Sequence, residues 1–373
     1  MDPIAGGGIM ERVHQLSRNL IRKNHYCAIL STSHGWNQEF IDKIEGLEAI
    51  SMPCISDRYM ILDLTRTRNW LSSNIHRFDI LHLAGNWSPI NAITYKIAKK
   101  FNIPYVFSAM GWLAIDGRSR LLKQIFRLLW TRPILRDARA VIAISPREVN
   151  DYIHFGVPKE KIFLIPNGIV TDELNYKDDK AFREKYGLDN RKIILFVGRL
   201  SPIKGADLLI EAYSVFAKDC PDYQLLIFGN DHGGFQAKLE KIIHALNVQY
   251  CVKIFPPIFG VEKSWAYHAA DLFVIPSRYD TMTIVALEAA ACGCPILITE
   301  NCDFSAISEH GGGLTVSCSA ESIADGLRNI LKNSVVLKQM GHKASEFVLE
   351  NYHWDKISND FIQVFEDFGS RKH

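Results

Sequence analysis

Ile193-Ile-Leu-Phe-Val197 runs into Gly198-Arg199-Leu-Ser-Pro-Ile-Lys204-Gly205 and then into a helical pattern over 206–216, and this stretch decides the fold. Five consecutive apolar residues mark a strand buried on both faces, as in a parallel sheet covered by helices. A glycine closes the strand, and a loop punctuated by Pro202 and Gly205 hands the chain to the helix. The same strand–loop–helix unit recurs in both directions. Downstream the sequence predicts strands at 224–228, 252–255, 272–275, 295–299 and 314–317, with helices at 235–246, 283–291 and 323–331. Upstream it predicts strands at 27–31, 79–84, 105–109, 140–145 and 162–166, preceded by a helix over 10–22 with Val13, Leu16 and Leu20 on one face.

Such alternation implies an α/β protein with two doubly wound, Rossmann-like parallel sheets. A cleft between two such domains is where a ligand is expected. Segment 166–192 carries Pro166, Asn167-Gly168 and the charged run Lys177-Asp-Asp-Lys180, and reads as the linker, so the domains are placed at 1–168 and 169–351. A doubly wound domain opens with a strand, yet Gly6-Gly7-Gly8 and a helix arrive almost at once. Residues 1–5 are too few for a central strand. Either the domain lacks its first strand or the chain begins inside the natural reading frame.

With 373 residues, 47% hydrophobic and 23% charged, the composition is that of an ordinary globular protein rather than a disordered one. A net charge of +2 gives no reason to expect a nucleic-acid partner. No apolar run is long enough to span a bilayer, and no signal peptide is visible, so a cytoplasmic location is expected. Eight cysteines form no Cys-x-x-Cys pair, and they read as reduced, packed thiols rather than metal ligands.

Four groups of residues could carry chemistry. Gly6-Gly7-Gly8 stands at a helix start, where backbone N–H groups can meet an anion; the alternative is a flexible tail. The loop after the 193–197 strand aims Gly198, Arg199 and Lys204 at the carboxyl end of the sheet, where a departing diphosphate would need donors and cations; the alternative is a solvated loop with two surface bases. Asp280-Thr281-Met282-Thr283 precedes a helix whose Glu288 is costly to bury without a partner, such as ribose hydroxyls or, alternatively, Arg278. His82 and Trp87 stand at the end of the 79–84 strand, facing the expected cleft, although a lone strand histidine is more often structural.

Taken together, these motifs resemble the retaining glycosyltransferases of the GT-B fold, most closely glycosyltransferase family 4. The resemblance rests on the N-terminal glycine turn, Ile165-Pro-Asn-Gly168, Phe196-Val-Gly-Arg-Leu-Ser, Pro276-Ser-Arg-Tyr-Asp280, Leu287-Glu-Ala-Ala-Ala-Cys-Gly-Cys-Pro295 and Tyr352-His-Trp-Asp355. It implies transfer of a sugar from a nucleoside-diphosphate sugar to a hydroxyl acceptor with retention. By the same resemblance Arg199 and Lys204 hold the diphosphate, Glu288 holds the ribose, and Asp280 binds sugar hydroxyls where the family more often has Glu. His82, Gly7, Gly8, Gly198 and the Thr281–Thr283 backbone complete the expected site. The last helix, within 352–373, is expected to return to the first domain. Many relatives carry His-x-His where this chain has His82-Leu83-Ala84, so the second histidine is replaced by alanine.

No Asp-x-Asp pair occurs, which fits a site without metal, and no cofactor beyond the donor is expected. A nucleotide-sugar isomerase of the same fold is one alternative, separated by acceptor dependence. A catalytically silent nucleotide-binding partner subunit is another, and it fits Ala84 and the short start. A dehydrogenase lacks its strand–GxGxxG–helix unit here. Finally, 118–139 interleaves Arg118, Arg120, Lys123, Arg127, Arg132, Arg136 and Arg139 with leucines and aromatics. Either this helix packs its apolar face on the sheet, or it lies on an anionic membrane that presents a lipid-linked glycan acceptor, over Arg118 to Thr131 before Pro133 breaks it.

Overall fold

The computed structural model describes residues 7–56, 61–111, 113 and 120–369. The chain forms two compact units, Met1–Asn167 with Trp354–His373, and Gly168–His353. Each has its own core.

In the first unit, β1 (Ala28–Thr32) pairs in parallel with β2 (Glu48–Met52), and a short antiparallel pair, β3 (Cys54–Ser56) and β4 (Ile61–Leu62), follows. A four-stranded parallel sheet has the order β5 (Leu81–Ala84), β6 (Tyr105–Ser108), β7 (Ala140–Ala143) and β8 (Ile162–Leu164). Strands β6 and β7 are buried at every position, because helices cover both faces. The unit opens with the helix Gly7–Arg22, against which the final helix Trp354–Gly369 packs. The early strand missing from the sequence pattern has no counterpart among the described residues.

In the second unit, β9 (Lys192–Val197), β10 (Tyr223–Phe228), β11 (Val252–Phe255), β12 (Leu272–Ile275), β13 (Ile296–Thr299) and β14 (Gly313–Val316) form one parallel sheet. Its order is β11-β10-β9-β12-β13-β14. The winding therefore reverses between β9 and β12. Crossovers run through helices such as Ala206–Phe216 and Ile284–Ala291, the latter Ala-rich and buried along Ala286, Leu287, Ala289 and Ala290.

The basic segment corrects an expectation. It does not stop at Thr131: the helix Arg120–Phe126 passes through one π turn, Arg127–Thr131, into the helix Arg132–Asp137. Pro133 falls in the first turn of that last piece, and the π turn just before it accommodates the proline without ending the helix. Its apolar residues also divide. Phe126 meets Trp87 and Trp130 packs on the core, whereas Leu121, Leu122, Ile125, Leu128 and Leu129 are exposed, Leu121 to 69%. Gly6, Arg118 and residues 1–5 from the sequence reading lie outside the described residues.

Candidate active site

Ligands in doubly wound sheets bind outside the carboxyl ends of the strands where the order reverses. In the second unit those ends belong to β9 and β12, and the loops that follow them hold Gly198, Arg199, Lys204 and Asp280. The two loops are stitched together. Arg278 donates from its backbone to Ile203 O (2.8 Å), from Nη1 to Pro202 O (2.5 Å), and from both terminal nitrogens to the buried Asp207 carboxylate (2.8 and 3.0 Å). Gly205 makes the closest approach possible: at φ +72°, a Cβ there would stand 1.9 Å from Pro276 O. Gly229 does the same for the neighbouring loop, where a Cβ would stand 2.0 Å from Gly198 O.

This stitching brings Lys204 Nζ to 2.5 Å from Asp280 Oδ2, with both side chains largely buried. The sequence reading gave these residues separate roles, one on phosphate and one on sugar; the fold pairs them. Arg199 is exposed, and among the described residues no carboxylate pairs with it. Ser201, in the same loop, is 4% exposed, and its Oγ has no hydrogen-bond partner among the described residues. A buried hydroxyl with no partner is a costly group, and it went unnoticed in the sequence.

After β12, Met282 is buried at φ +24°, a conformation that residues with a side chain rarely adopt. Thr281 and Thr283 are half-buried beside it. Thr283 caps the helix Ile284–Ala291 without a side-chain bond, leaving the first amides of that helix unpaired within it. Glu288 is not left alone in its apolar helix. Lys263 Nζ donates to Oε1 (2.7 Å) and Tyr267 Oη to Oε2 (2.8 Å), so its ion-pair partner is Lys263 rather than Arg278. Burial pushes the Tyr267 phenol well above its ordinary range, which keeps it a donor.

In the first unit, His82 is held by a hydroxyl and two aromatic rings. Its Nε2 lies 2.7 Å from Ser108 Oγ, and its ring packs against Phe361 and Phe365 of the last helix. Burial, with help from the Arg12 charge, pulls its pKa down to about 3, so the imidazole is neutral. These contacts fit the structural alternative for this histidine. Trp87 takes φ +54° and packs against Phe126.

Gly7 and Gly8 form the first turn of the opening helix. One turn on, the buried Arg12 donates to Ile165 O (2.7 Å), Pro166 O (2.6 Å) and Asn167 Oδ1 (2.8 Å), fixing the Ile165–Gly168 turn. Nearby Glu148 accepts from Gly111 N (2.7 Å) and Ile144 N (2.8 Å), and burial pushes it up to about 7. Neither Arg12 nor Glu148 carried a signal in the sequence beyond being charges in amphipathic segments.

With this geometry in place, comparison with known proteins gives a consistent result. Residues 178–368 match the family described as Glycosyl transferases group 1, and residues 6–173 match Glycosyltransferase Family 4. An uncharacterized glycosyltransferase of Methanocaldococcus jannaschii is 32% identical over 219 residues, 57% of this chain and 55% of that protein. A D-inositol 3-phosphate glycosyltransferase of Geodermatophilus obscurus is 29% identical over 180 residues, 46% of this chain and 40% of that protein. The match thus spans about half the length of these curated relatives. Among solved structures, Anabaena HepE in complex with UDP and glucose shares the fold with a TM-score of 0.79 at 17% identity, covering 97% of each chain.

Proposed function

The chain belongs to the glycosyl transferases group 1 family, and we propose that it moves a sugar from a nucleoside-diphosphate sugar to a hydroxyl acceptor, with retention and without a metal ion. The observation that carries this reading is the pair of stitched loops after β9 and β12, which gathers Arg199, Lys204, Asp280 and the start of the helix Ile284–Ala291 where the sheet winding reverses.

In this reading Arg199 and Lys204 bind the diphosphate and take up its growing charge as the bond from anomeric carbon to phosphate oxygen breaks. The acceptor hydroxyl attacks on the face the phosphate leaves, and its proton passes to the departing phosphate oxygen. No side-chain nucleophile is required; orientation and charge stabilisation are the protein's task. Asp280 holds Lys204 in place before the donor arrives and turns toward sugar hydroxyls when it is bound. Glu288, fixed by Lys263 and Tyr267, retains lone pairs for ribose hydroxyls. The backbone of Gly198 and of Thr281, Met282 and Thr283 supplies further donors. Gly7 and Gly8, in the first turn of the opening helix, belong to the donor-binding residues in this reading through their backbone amides.

The acceptor reading rests on the exposed leucines of the 120–137 helix. Leu121, Leu122, Leu128 and Leu129 are each more than half exposed, and Lys123, Arg127 and Arg132 stand among them. No helix of the described residues is long and apolar enough to cross a membrane. A basic helix with an uncovered apolar stripe suits the surface of an anionic bilayer, and hence a lipid-linked acceptor.

The test is a thermal-shift panel with UDP, GDP, ADP, CDP and dTDP in the presence of a chelator, UDP first because the Anabaena structure holds it. A ligand at ~100 times its dissociation constant stabilises by about 2.7 kcal/mol. One nucleotide standing out supports the reading, and none binding overturns it. Conversion of a nucleotide sugar without acceptor would assign the isomerase alternative instead.

A further inference from the structure

The turn after β5 is pinned residue by residue. Asn91 Nδ2 donates to Ala84 O (2.9 Å) and Gly85 O (2.7 Å), and Thr131 Oγ1 donates to Asn86 Oδ1 (2.9 Å). Trp87 comes next, at φ +54°, a left-handed conformation that a bulky residue holds only where its surroundings impose it. The turn after the neighbouring strand β6 has the same character. Met110 stands there at φ +56°, between Ala109, whose N–H is held by Tyr152 Oη (2.8 Å), and Gly111, whose N–H is held by Glu148 (2.7 Å). A tryptophan needed only as packing could sit on a helix or strand at no backbone cost. Strain of this kind gathers where a side chain must be presented to a ligand. The carboxyl ends of the strands are also where doubly wound sheets bind one.

Trp87 is half-buried, and two neighbours of its ring come from the 120–137 helix. Phe126 meets the ring at 5.8 Å and 59°, a tilted contact rather than a flat stack, and Lys123 Nζ stands 5.7 Å from its centroid. Thr131 ties the same helix to Asn86, so ring and ammonium keep their spacing. The face of an indole is electron-rich and accepts the C–H groups of a pyranose, whereas an ammonium beside it takes an anion. A neutral sugar uses the ring alone, and inorganic phosphate uses the amine alone. A sugar that carries a phosphate next to its ring uses both.

We propose that Trp87 and Lys123 form an acceptor subsite on the first unit, and that it takes a pyranose bearing a phosphate ester or diester beside the ring. The pyranose stacks on Trp87, and a phosphate oxygen accepts from Lys123 Nζ. The inference rests on the sugar-transfer reading only for the statement that an acceptor sugar exists; the site itself is built from the first unit alone. It narrows the acceptor to an anionic one. Such a ligand has two sources, a soluble sugar phosphate or a sugar phosphate carried on an alkyl chain. The exposed Leu121 and Leu128 on the same helix suit the second, because an alkyl chain leaving the phosphate at Lys123 finds apolar surface beside it.

The experiment is calorimetric titration of the full chain carrying Arg199→Ala and Lys204→Ala, so that the cations of the donor loop take no part. The probes are the 1-phosphates of glucose, galactose, mannose and N-acetylglucosamine, the four parent sugars, and inorganic phosphate. At least one sugar phosphate is expected to bind about tenfold or more tightly than both its parent sugar and inorganic phosphate. Lys123→Gln should bring that ligand down to the affinity of the parent sugar and leave the parent sugar unchanged. Trp87→Ala should bring it down to the affinity of inorganic phosphate, and Trp87→Phe should restore most of the loss. A merely structural Trp87 shifts the melting temperature but not the ratio of sugar phosphate to inorganic phosphate. The proposal is overturned if no sugar phosphate outdoes inorganic phosphate, or if the preferred one binds undiminished in both variants. A last arm uses the preferred sugar phosphate as its decyl diester. Tighter binding that Leu121→Ser with Leu128→Ser cancels assigns the lipid-linked source, and equal binding assigns the soluble one. None of these readouts depends on nucleotide binding, so the donor-site reading stands or falls separately.

Discussion

Replacing Gly205 by alanine tests whether the two candidate loops touch as closely as the structure has them. Two costs add. The backbone at φ +72° is the left-handed region, which costs a residue with a side chain about 1–2 kcal/mol. The new Cβ would also stand 1.9 Å from Pro276 O, and since that atom is backbone, one of the two loops must move. Overpacking of this kind costs about 1–3 kcal/mol. The sum is about 2–5 kcal/mol, or a fall in melting temperature of roughly 4–20 °C for a unit of this size. Gly187→Ala is the control. It has φ +57° with nothing within 4 Å of an added Cβ, so it carries the first cost without the second. Urea denaturation of both variants measures the difference, and nucleotide binding measures whether the loops still meet. If Gly205→Ala and Gly187→Ala lose the same stability within about 0.5 kcal/mol, the close approach is refuted, and the juxtaposition of Lys204 with Asp280 loses its support.

Arg199→Ala and Lys204→Ala should each lower turnover ~10²–10³-fold in a sugar-transfer assay, and wild-type-like rates in both would remove the diphosphate assignment. His82 gives a pH signature. Its folded pKa of about 3 lies below the ordinary 6.5, so the unfolded chain binds more protons in between. Its contribution is complete above pH 6.5 and is lost as pH falls toward 3, and His82→Gln should flatten that limb of a stability–pH curve. On vesicles rich in anionic lipid, Leu121→Ser with Leu128→Ser should abolish flotation at low salt while leaving the melting temperature within about 1 °C, because both side chains are exposed. Unchanged flotation would assign this helix to some other contact.

Legibility divided along physical lines. β9, its glycine loop and the helix Ala206–Phe216 were readable because five consecutive apolar residues, a glycine and a proline are local signals. β2 was not: Glu48-Ala-Ile-Ser-Met52 is short, half polar and lies near the edge of its sheet, so neither a continuous apolar run nor a clean alternation marks it. Site partners were the least readable part. Lys204 and Asp280 are 76 positions apart, and Glu288 finds Lys263 and Tyr267 at 25 and 21. Each residue announced a charge, but the tertiary fold chose its partner. His82 fails for the same reason, since the rings that bury it come from the far end of the chain. The basic helix was readable as amphipathic, but which of its apolar residues would be covered depended on Trp87 and the core beneath it.

The two units solve one problem by different means. Each must hold a loop at the carboxyl end of its sheet firmly enough to present backbone groups. In the second unit the covalent run from β9 through Gly198 to the helix does this, reinforced by Arg278 and by Gly205 against Pro276. In the first unit the helix Gly7–Arg22 is fastened from its side by Arg12, which reaches three acceptors of the Ile165–Asn167 turn. Burying a guanidinium is expensive, and the cost shows as a pKa lowered to about 10, still far enough above neutrality to keep the charge. Three charge-assisted bonds offset that cost, and each acceptor they satisfy would otherwise carry its own penalty of about 1–3 kcal/mol. Arg12 therefore ties the Ile165–Asn167 turn to the opening helix of the same unit.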